Sequence, residues 1–424
     1  MWLCGLSAVL YLDRICMAQA IKPIQTEFAL TNSQISYIGM AFTLAYGLFE
    51  VPTGGLADRI GSRAVLVRIV AWWSAFTALT GVCTGFYSLL FVRFLFGAGE
   101  AGAFPNAARV ISRWYPADER GRVQGIMLAA AQIGAVLAPS GAALLIEWIG
   151  WRWSFSVFGL LGIAWAVGFG WWFRDEPASH PAVNAAERGH IEKGRETTQE
   201  TRHTAVPWSQ VFANRGILTL AVIIILAAFF TYFFYVWLPK YLMETRGLSN
   251  LDSGRCASIV LAGSALGMLV GGWISDRLAK MSLHAGVWRP RLGLACYLAA
   301  AVFLYVGTRC EEANWLVAFW AASFFTLHIM QPLWWTVVMP QCGAHVGSIS
   351  GLLNGIGVVG ALASQWYVGF FTDLRLGWGF SGREQWDPLV DTYCIALILG
   401  GLAWWSYRFT PLASGSTEPV AKAS

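Results

Sequence analysis

The sequence predicts an all-α polytopic membrane protein, with twelve transmembrane helices in two six-helix halves. Three observations predict it. Apolar runs of about 20 residues, the length that crosses a hydrocarbon core of about 30 Å, recur twelve times along the 424-residue chain. One long hydrophilic segment, about Arg174 to Asn214, parts them six and six. A short turn ending in Asp-Arg also follows the second run of each half: Gly54-Gly55-Leu56-Ala57-Asp58-Arg59 and Gly272-Trp273-Ile274-Ser275-Asp276-Arg277.

Composition agrees. The chain is 56% hydrophobic and 12% charged, with a mean hydropathy of +0.53, where a soluble domain carries about 25% charged residues. Its 23 Trp, 45 Gly and 15 Pro suit helices that pack closely and kink in lipid. The net charge of +5 carries no nucleic-acid signal, because the basic residues sit in short loops between apolar runs. Eight scattered Cys form no C-x-x-C pair and have no nearby His set, so neither a metal site nor a disulfide framework is indicated. No nucleophile–base constellation or phosphate loop is present, so no enzyme and no bound cofactor are expected.

In order, the runs lie near residues 2–20, 35–57, 65–86, 89–112, 121–146, 153–173, 216–240, 253–276, 290–308, 314–339, 343–371 and 389–408. Thr31-Asn32-Ser33 supplies an N-cap for the second. The expected organisation is a first half over 1–173, a linker over 174–214, a second half over 215–410 and a tail over 411–424. The linker holds Pro177, Pro181 and Pro207, and its charged stretch from Glu187 to Arg202 is a candidate surface helix.

Lys and Arg concentrate in the linker and in the turns after spans two, four and eight. The positive-inside rule therefore places the linker and both termini in the cytoplasm, across the inner (plasma) membrane. Met1 abuts the first apolar run with no basic n-region and no cleavage site. That run is expected to be a retained span, with a short cytoplasmic segment ahead of it.

Charges inside the spans carry the functional signal. Tyr11-Leu12-Asp13-Arg14 lies within the first run, and Arg93 and Glu100 lie within the fourth. Each charge costs roughly 2.5–3.5 kcal/mol at bilayer depth, so four facing lipid would cost on the order of 10 kcal/mol. They must face inward. Arg93 and Glu100 are seven residues apart, about two turns, and share a helix face. Counting 1.5 Å per residue puts Asp13, Arg14, Tyr46, Glu100, Gln132, Ser264 and Asn354 at roughly one depth. Glu50, one turn before the first Asp-Arg turn, is expected to neutralise the arginines at that end. His328 reads as a packed, hydrogen-bonded core histidine. The aromatic run from Phe229 to Tyr235 offers Tyr232 and Tyr235 as cavity residues.

The run Gly54-Gly55-Leu56-Ala57-Asp58-Arg59-Ile60-Gly61-Ser62-Arg63 resembles the signature loop of the major facilitator superfamily. Within it the chain resembles the anion:cation symporter family, which includes hexuronate, galactonate, glucarate and phthalate transporters. The motifs that carry this are Tyr11-Leu12-Asp13-Arg14, Arg93-Phe94-Leu95-Phe96-Gly97-Ala98-Gly99-Glu100-Ala101, Phe104-Pro105-Asn106, Trp114-Tyr115-Pro116 with Glu119-Arg120-Gly121-Arg122, and Gly150-Trp151-Arg152-Trp153. The resemblance implies the major facilitator fold and assigns roles to the central residues. Arg14 becomes the clamp on a substrate carboxylate, where its alternative is a permanent ion pair with Asp13 or Glu100. Tyr11, Tyr46, Gln132 and Asn354 fall at substrate-contacting positions, with Trp334 or Trp335 beside them. Asp13 and Glu100 become proton carriers, sensed by Arg93. The two turns, through Gly54, Asp58, Arg59, Gly61, Arg63, Gly272, Asp276 and Arg277, read as a cytoplasmic gate.

The implied function is proton-coupled uptake of an organic anion, a sugar acid first, by a monomer that uses the proton gradient. The partners would be that anion, protons and the lipid bilayer. Aromatic or short aliphatic carboxylates are the alternative substrates, and a transporter-like sensor is the alternative role.

Overall fold

The structure, a computed structural model, describes residues 1–54, 56, 60–193, 206, 208–280, 285–342 and 345–410. Its helices are α1 (Trp2–Phe28), α2 (Asn32–Gly54), α3 (Ser62–Thr80), α4 (Phe86–Glu100), α5 (Ala103–Trp114) and α6 (Ala117–Trp172). Two short helices, α7 (Ala185–Lys193) and α8 (Trp208–Ala213), lie in the hydrophilic segment. Then follow α9 (Arg215–Val236), α10 (Leu238–Arg246), α11 (Asn250–Lys280), α12 (Ala285–Arg309), α13 (Ala313–Cys342), α14 (Val346–Gly377) and α15 (Gly382–Ser406). Among the described residues, eight helices are long and apolar enough to cross a membrane.

Local chemistry explains where the helices break. Asp118–Trp172 runs for 55 residues, but Gly150 (φ 77°, ψ 162°) interrupts it in a conformation that glycine adopts without strain. It therefore supplies two crossings. The run near 89–112, expected as one helix, is two. Gly102 (φ 86°) caps α5, and Pro105 sits in the first turn, where its missing N–H leaves no bond unmade. The Asn106 side chain donates to the Gly102 carbonyl at 2.6 Å and fixes that turn. The seventh run also breaks, at Trp237, where Pro239 opens α10. Part of the expected linker helix forms as α7, while residues 194–205 lie outside the described set.

α1 packs along α6, α3 packs on α6 and α4, and α2 packs on α4. In the second set, α11 packs on α13, α12 on α13 and α15, and α9 on α14 and α15. Among the described residues the sets are joined mainly by α2 with α14 and α6 with α11, and less extensively by α1 with α9 and α10. Apolar burial drives little association in lipid, so close packing and polar bonds hold such contacts. A Cβ on Gly369 would sit 2.8 Å from the Asn32 carbonyl oxygen, and one on Gly254 2.7 Å from the Pro139 carbonyl oxygen. Only glycine permits both approaches.

Successive crossings alternate, so Trp2, Gly54 and Ser406 mark one end of the molecule (proximal), and Phe28, Asn250 and Gly377 the other (distal). Strong bonds between the sets gather toward the distal end. The Asn32 and Ser33 backbone N–H groups donate to the Asp373 carboxylate at 3.0 and 2.8 Å. Ser36 donates to the Gln365 carbonyl at 2.6 Å, and the Gln365 amide donates to Thr43 at 2.9 Å. The Gln19 amide reaches Asn250 and Ser253, and Lys240 reaches Gln25. Ser140 and Ser258 share a hydroxyl bond of 2.8 Å. The sets are closed against each other at the distal end.

Candidate functional site

Four charges predicted to face inward do so together. Asp13 is 1% exposed, Arg93 3% and Glu100 0%. The Arg14 Nε–H donates to Glu100 Oε1, closing an ion pair between α1 and α4. The Arg14 side chain keeps 19% exposure against 1% for Glu100, so the base retains some access while its acid is sealed. Gly97 makes this possible. It lies between Arg93 and Glu100, and a Cβ there would stand 2.4 Å from the Phe42 carbonyl oxygen. Its absence lets α4 press on α2 and carry both charges inward.

Aromatic rings wall the cations. The Arg14 guanidinium carbon lies 4.5 Å from the Tyr46 ring centroid and 5.7 Å from those of Tyr11 and Phe42. That of Arg93 lies 4.4 Å from Phe96 and 5.4 Å from Phe42. Such contacts contribute about 0.5–2 kcal/mol each and hold planar guanidiniums in place. Asp13 is different. Neither of its oxygens hydrogen-bonds a protein group, although the Trp73 indole faces it. An unpaired buried carboxylate ion costs several kcal/mol, and a proton removes that cost.

Toward the proximal end a Cβ on Gly121 or Gly125 of α6, or on Gly351 or Gly355 of α14, would meet nothing within 4 Å, and we read the space between the sets there as a cleft. Asn354 is exposed although its amide donates across the cleft to Glu50 Oε2 at 3.4 Å. Tyr46 donates its hydroxyl to Glu50 Oε1, also at 3.4 Å. Gln132 of α6 points its amide at the Met268 sulfur of α11, 2.8 Å away. Tyr232 lies within electrostatic reach of Arg14. Arg14 thus meets Tyr11 and Tyr46 directly, Asn354 joins them through Glu50, and Gln132 makes its contact with Met268 where α6 faces α11. Trp334 is half-buried and packs on the C-terminal core, and the side chain of Trp335 lies outside the described residues.

Other residues take different places. Glu50, expected to neutralise the arginines of the turn, has other partners among the described residues. Its partners are Tyr46 and Asn354, inside the cleft. Helical side chains tilt toward the helix N-terminus, which carries the Glu50 carboxylate back over Tyr46. Ser264 donates to Leu261 of its own helix at 2.8 Å and does not face the cleft. His328 is buried, with Nδ1 2.8 Å from the Phe324 carbonyl, as a packed histidine should be.

Of the gate residues, Asp58 and Arg59 lie outside the described set. Arg63 fastens its own bundle. Its backbone N–H donates to Asp175 at 2.9 Å and its Nε–H to the Gly170 carbonyl at 2.8 Å. Gly61 (φ 86°) lets Asp175 approach, since a Cβ would lie 2.6 Å from Asp175 Oδ2. Gly54 ends α2 against Pro105, and Gly272 meets open space. Asp276 and Arg277 are exposed, with Arg277 over the ring of Trp273 at 4.6 Å. Among the described residues, the contacts of Arg63 and Arg277 stay within their own sets. Sequence reading missed Asp373, whose role as a cap on another helix depends on a distant pairing that no local pattern encodes.

The family model described as Major Facilitator Superfamily matches residues 3–364. The chain is 28% identical over 362 residues to the "Probable sulfoacetate transporter SauU" of Cupriavidus necator, covering 85% of this chain and 84% of that one. It is 27% identical over 407 residues to the "D-galactonate transporter" of Escherichia coli, covering 93% and 91%. It is 30% identical over 386 residues to the "Probable galactarate/D-glucarate transporter GudP" of Bacillus subtilis, covering 87% and 83%. Among solved structures, a bacterial homolog to the human lysosomal transporter Spinster, in an inward-facing and occupied conformation, superposes with a TM-score of 0.79 at 20% identity, covering 97% of each chain. A D-xylose–proton symporter superposes with a TM-score of 0.72 at 15% identity, covering 98% of each.

Proposed function

The chain belongs to the Major Facilitator Superfamily, as a membrane transporter of organic-anion type and not an enzyme, and we propose that it carries a sugar acid inward together with protons. The observation that carries this reading is the Arg14–Glu100 pair, whose arginine side chain keeps partial exposure while the glutamate is sealed in α4. A guanidinium offers a planar fork suited to carboxylate. It cannot serve a substrate and an ionised Glu100 equally well. A proton on Glu100 releases Arg14 to the substrate carboxylate, and substrate release returns Arg14 to Glu100. Asp13 holds a second proton, balancing Arg93 when ionised. Tyr11, Tyr46, Gln132 and Asn354 then read hydroxyls.

Substrate is held at mid-depth between the sets, and rocking of one set against the other exposes it alternately. With both termini in the cytoplasm, the distal closure seals the outside and the open cleft faces inward. The two Asp-Arg turns would latch when the cleft closes on that side. Inner-membrane location and a monomeric working unit complete the reading.

A second reading is supported by the sulfoacetate transporter among the relatives: a short aliphatic acid in place of a sugar acid. One experiment separates them. Labelled galactonate, glucuronate, glucarate, sulfoacetate and benzoate are offered to proteoliposomes with and without an inward proton gradient. Gradient-dependent accumulation of a sugar acid supports the first reading, accumulation of the short acid alone supports the second, and gradient-independent equilibration of every acid sinks proton coupling.

A further inference from the structure

Glu50 is an ionisable group of the cleft that proton coupling leaves unused. It stands one turn beyond Tyr46 on the same face of α2. Its two partners, the Tyr46 hydroxyl and the Asn354 amide, both donate at 3.4 Å, longer than the bonds below about 3 Å that a carboxylate ordinarily accepts. A carboxylate has about four lone-pair sites, so this one is short of donors. It is half-buried where the sets face each other. Arg14 lies against the Tyr46 ring, 4.5 Å from its centroid, while Glu50 lies at the hydroxyl of the same ring. One tyrosine thus separates a cation from an anion along the wall of the cleft.

We infer that Glu50 sets the charge class of the substrate. It accepts hydrogen bonds from hydroxyl or ammonium groups at the end of the substrate remote from Arg14, and it excludes a second carboxylate there. The preferred substrate is then a monocarboxylate with distal donors, not a dianion. This rests on the reading of the cleft as an organic-anion site.

Charge balance leads to the same conclusion. Two guanidiniums, Arg14 and Arg93, stand against three carboxyls, Asp13, Glu100 and Glu50. With a proton on each of Asp13 and Glu100, a bound monocarboxylate leaves the cleft neutral with Glu50 ionised. A dicarboxylate leaves one uncompensated negative charge in a partly desolvated space, which is costly. Two like charges a few ångströms apart in a medium of effective dielectric near 20, discounted for exposure, correspond to roughly tenfold to a hundredfold in preference.

The test compares kcat/KM for a size-matched pair, an aldonate and the corresponding aldarate, in proteoliposomes of the full chain. The wild type is expected to favour the monoacid by roughly tenfold to a hundredfold. Glu50→Gln should bring the two within about threefold, chiefly by gain of diacid uptake, and Glu50→Asp should restore the preference. Glu50→Ala removes the same charge if the amide perturbs α2. An unchanged ratio in both neutral variants, or a wild type that prefers the diacid, overturns the inference. If neither sugar acid is taken up, the sugar-acid reading fails by itself. Glu50 is then tested with benzoate and phthalate, by the rise in melting temperature each gives to purified protein. A monoacid preference present in the wild type and lost in Glu50→Gln supports the filter. Equal stabilisation by both acids, or stabilisation by no carboxylate, overturns it.

Discussion

Removing the Asp373 carboxylate should open the distal end. That side chain, carried by α14, accepts the first backbone N–H groups of α2 at 3.0 and 2.8 Å. These groups have no partner inside their own helix, and the positive end of the helix dipole favours an anion there. A hydrogen bond to a charged group contributes about 1.5–3 kcal/mol when buried, and a carboxylate at a helix N-terminus about 0.3–2 kcal/mol. Asp373 is half-buried, so about 2 kcal/mol for the double contact is a fair sum. That is about a 30-fold shift in the balance between closed and open distal ends. Asp373→Asn keeps one acceptor and should shift it about fivefold. Spin labels at Thr26 and Leu376, both exposed at the distal end, report the separation in a background cleared of the eight native cysteines. The Asp373→Ala distance distribution should gain a longer component that is minor in the wild type. A distribution identical to wild type, in protein that is otherwise folded, would refute the reasoning.

Two further outcomes follow from packing and charge. Gly97→Ala forces a methyl to within 2.4 Å of the Phe42 carbonyl oxygen. Overpacking against backbone costs about 1–3 kcal/mol, so the variant should melt earlier in detergent and lose transport, and an unchanged melt contradicts the close approach of α2 and α4. Glu27, beyond the apolar run of α1, accepts hydrogen bonds from Arg152 at 2.6 Å and Trp151 at 2.8 Å, and the Arg152 bond holds its carboxyl below the usual glutamate range. A carboxyl lowered on folding stabilises above its unfolded value, and that contribution is lost as pH falls through the folded one. Glu27→Gln should therefore lower the melting temperature at neutral pH and leave a smaller difference from wild type near pH 3. An equal difference at both pH values contradicts the pairing.

The fold was legible because lipid imposes a single pattern, and the spans at 2–20 or 290–308 declare themselves by length and apolarity alone. The breaks were harder. Gly102 and Pro105 signal one within span four, but the same residues are tolerated inside membrane helices, so only the structure separates α4 from α5. The central site was legible wherever charge conflicted with its surroundings. Asp13, Arg14, Arg93 and Glu100 stand out against apolar neighbours, and the structure buries Asp13, Arg93 and Glu100. Glu50 was misplaced because its Cα lies near the arginine-rich turn while its carboxylate leans back toward Tyr46. Depth counted along a helix axis misses that tilt. Ser264 erred the other way, being at the right depth but bonded to its own helix. Asp373 was invisible, since its partners are more than three hundred residues away in sequence.

The most direct test of the account separates exchange from accumulation in the Glu100→Gln variant. Counterflow of an accepted acid requires binding and rocking only, whereas on the proposed mechanism accumulation against a gradient also requires the proton on Glu100. The account predicts that Glu100→Gln keeps counterflow and loses gradient-driven accumulation, while Arg14→Ala loses both. Accumulation by Glu100→Gln at the wild-type level, or counterflow that survives Arg14→Ala, would contradict it.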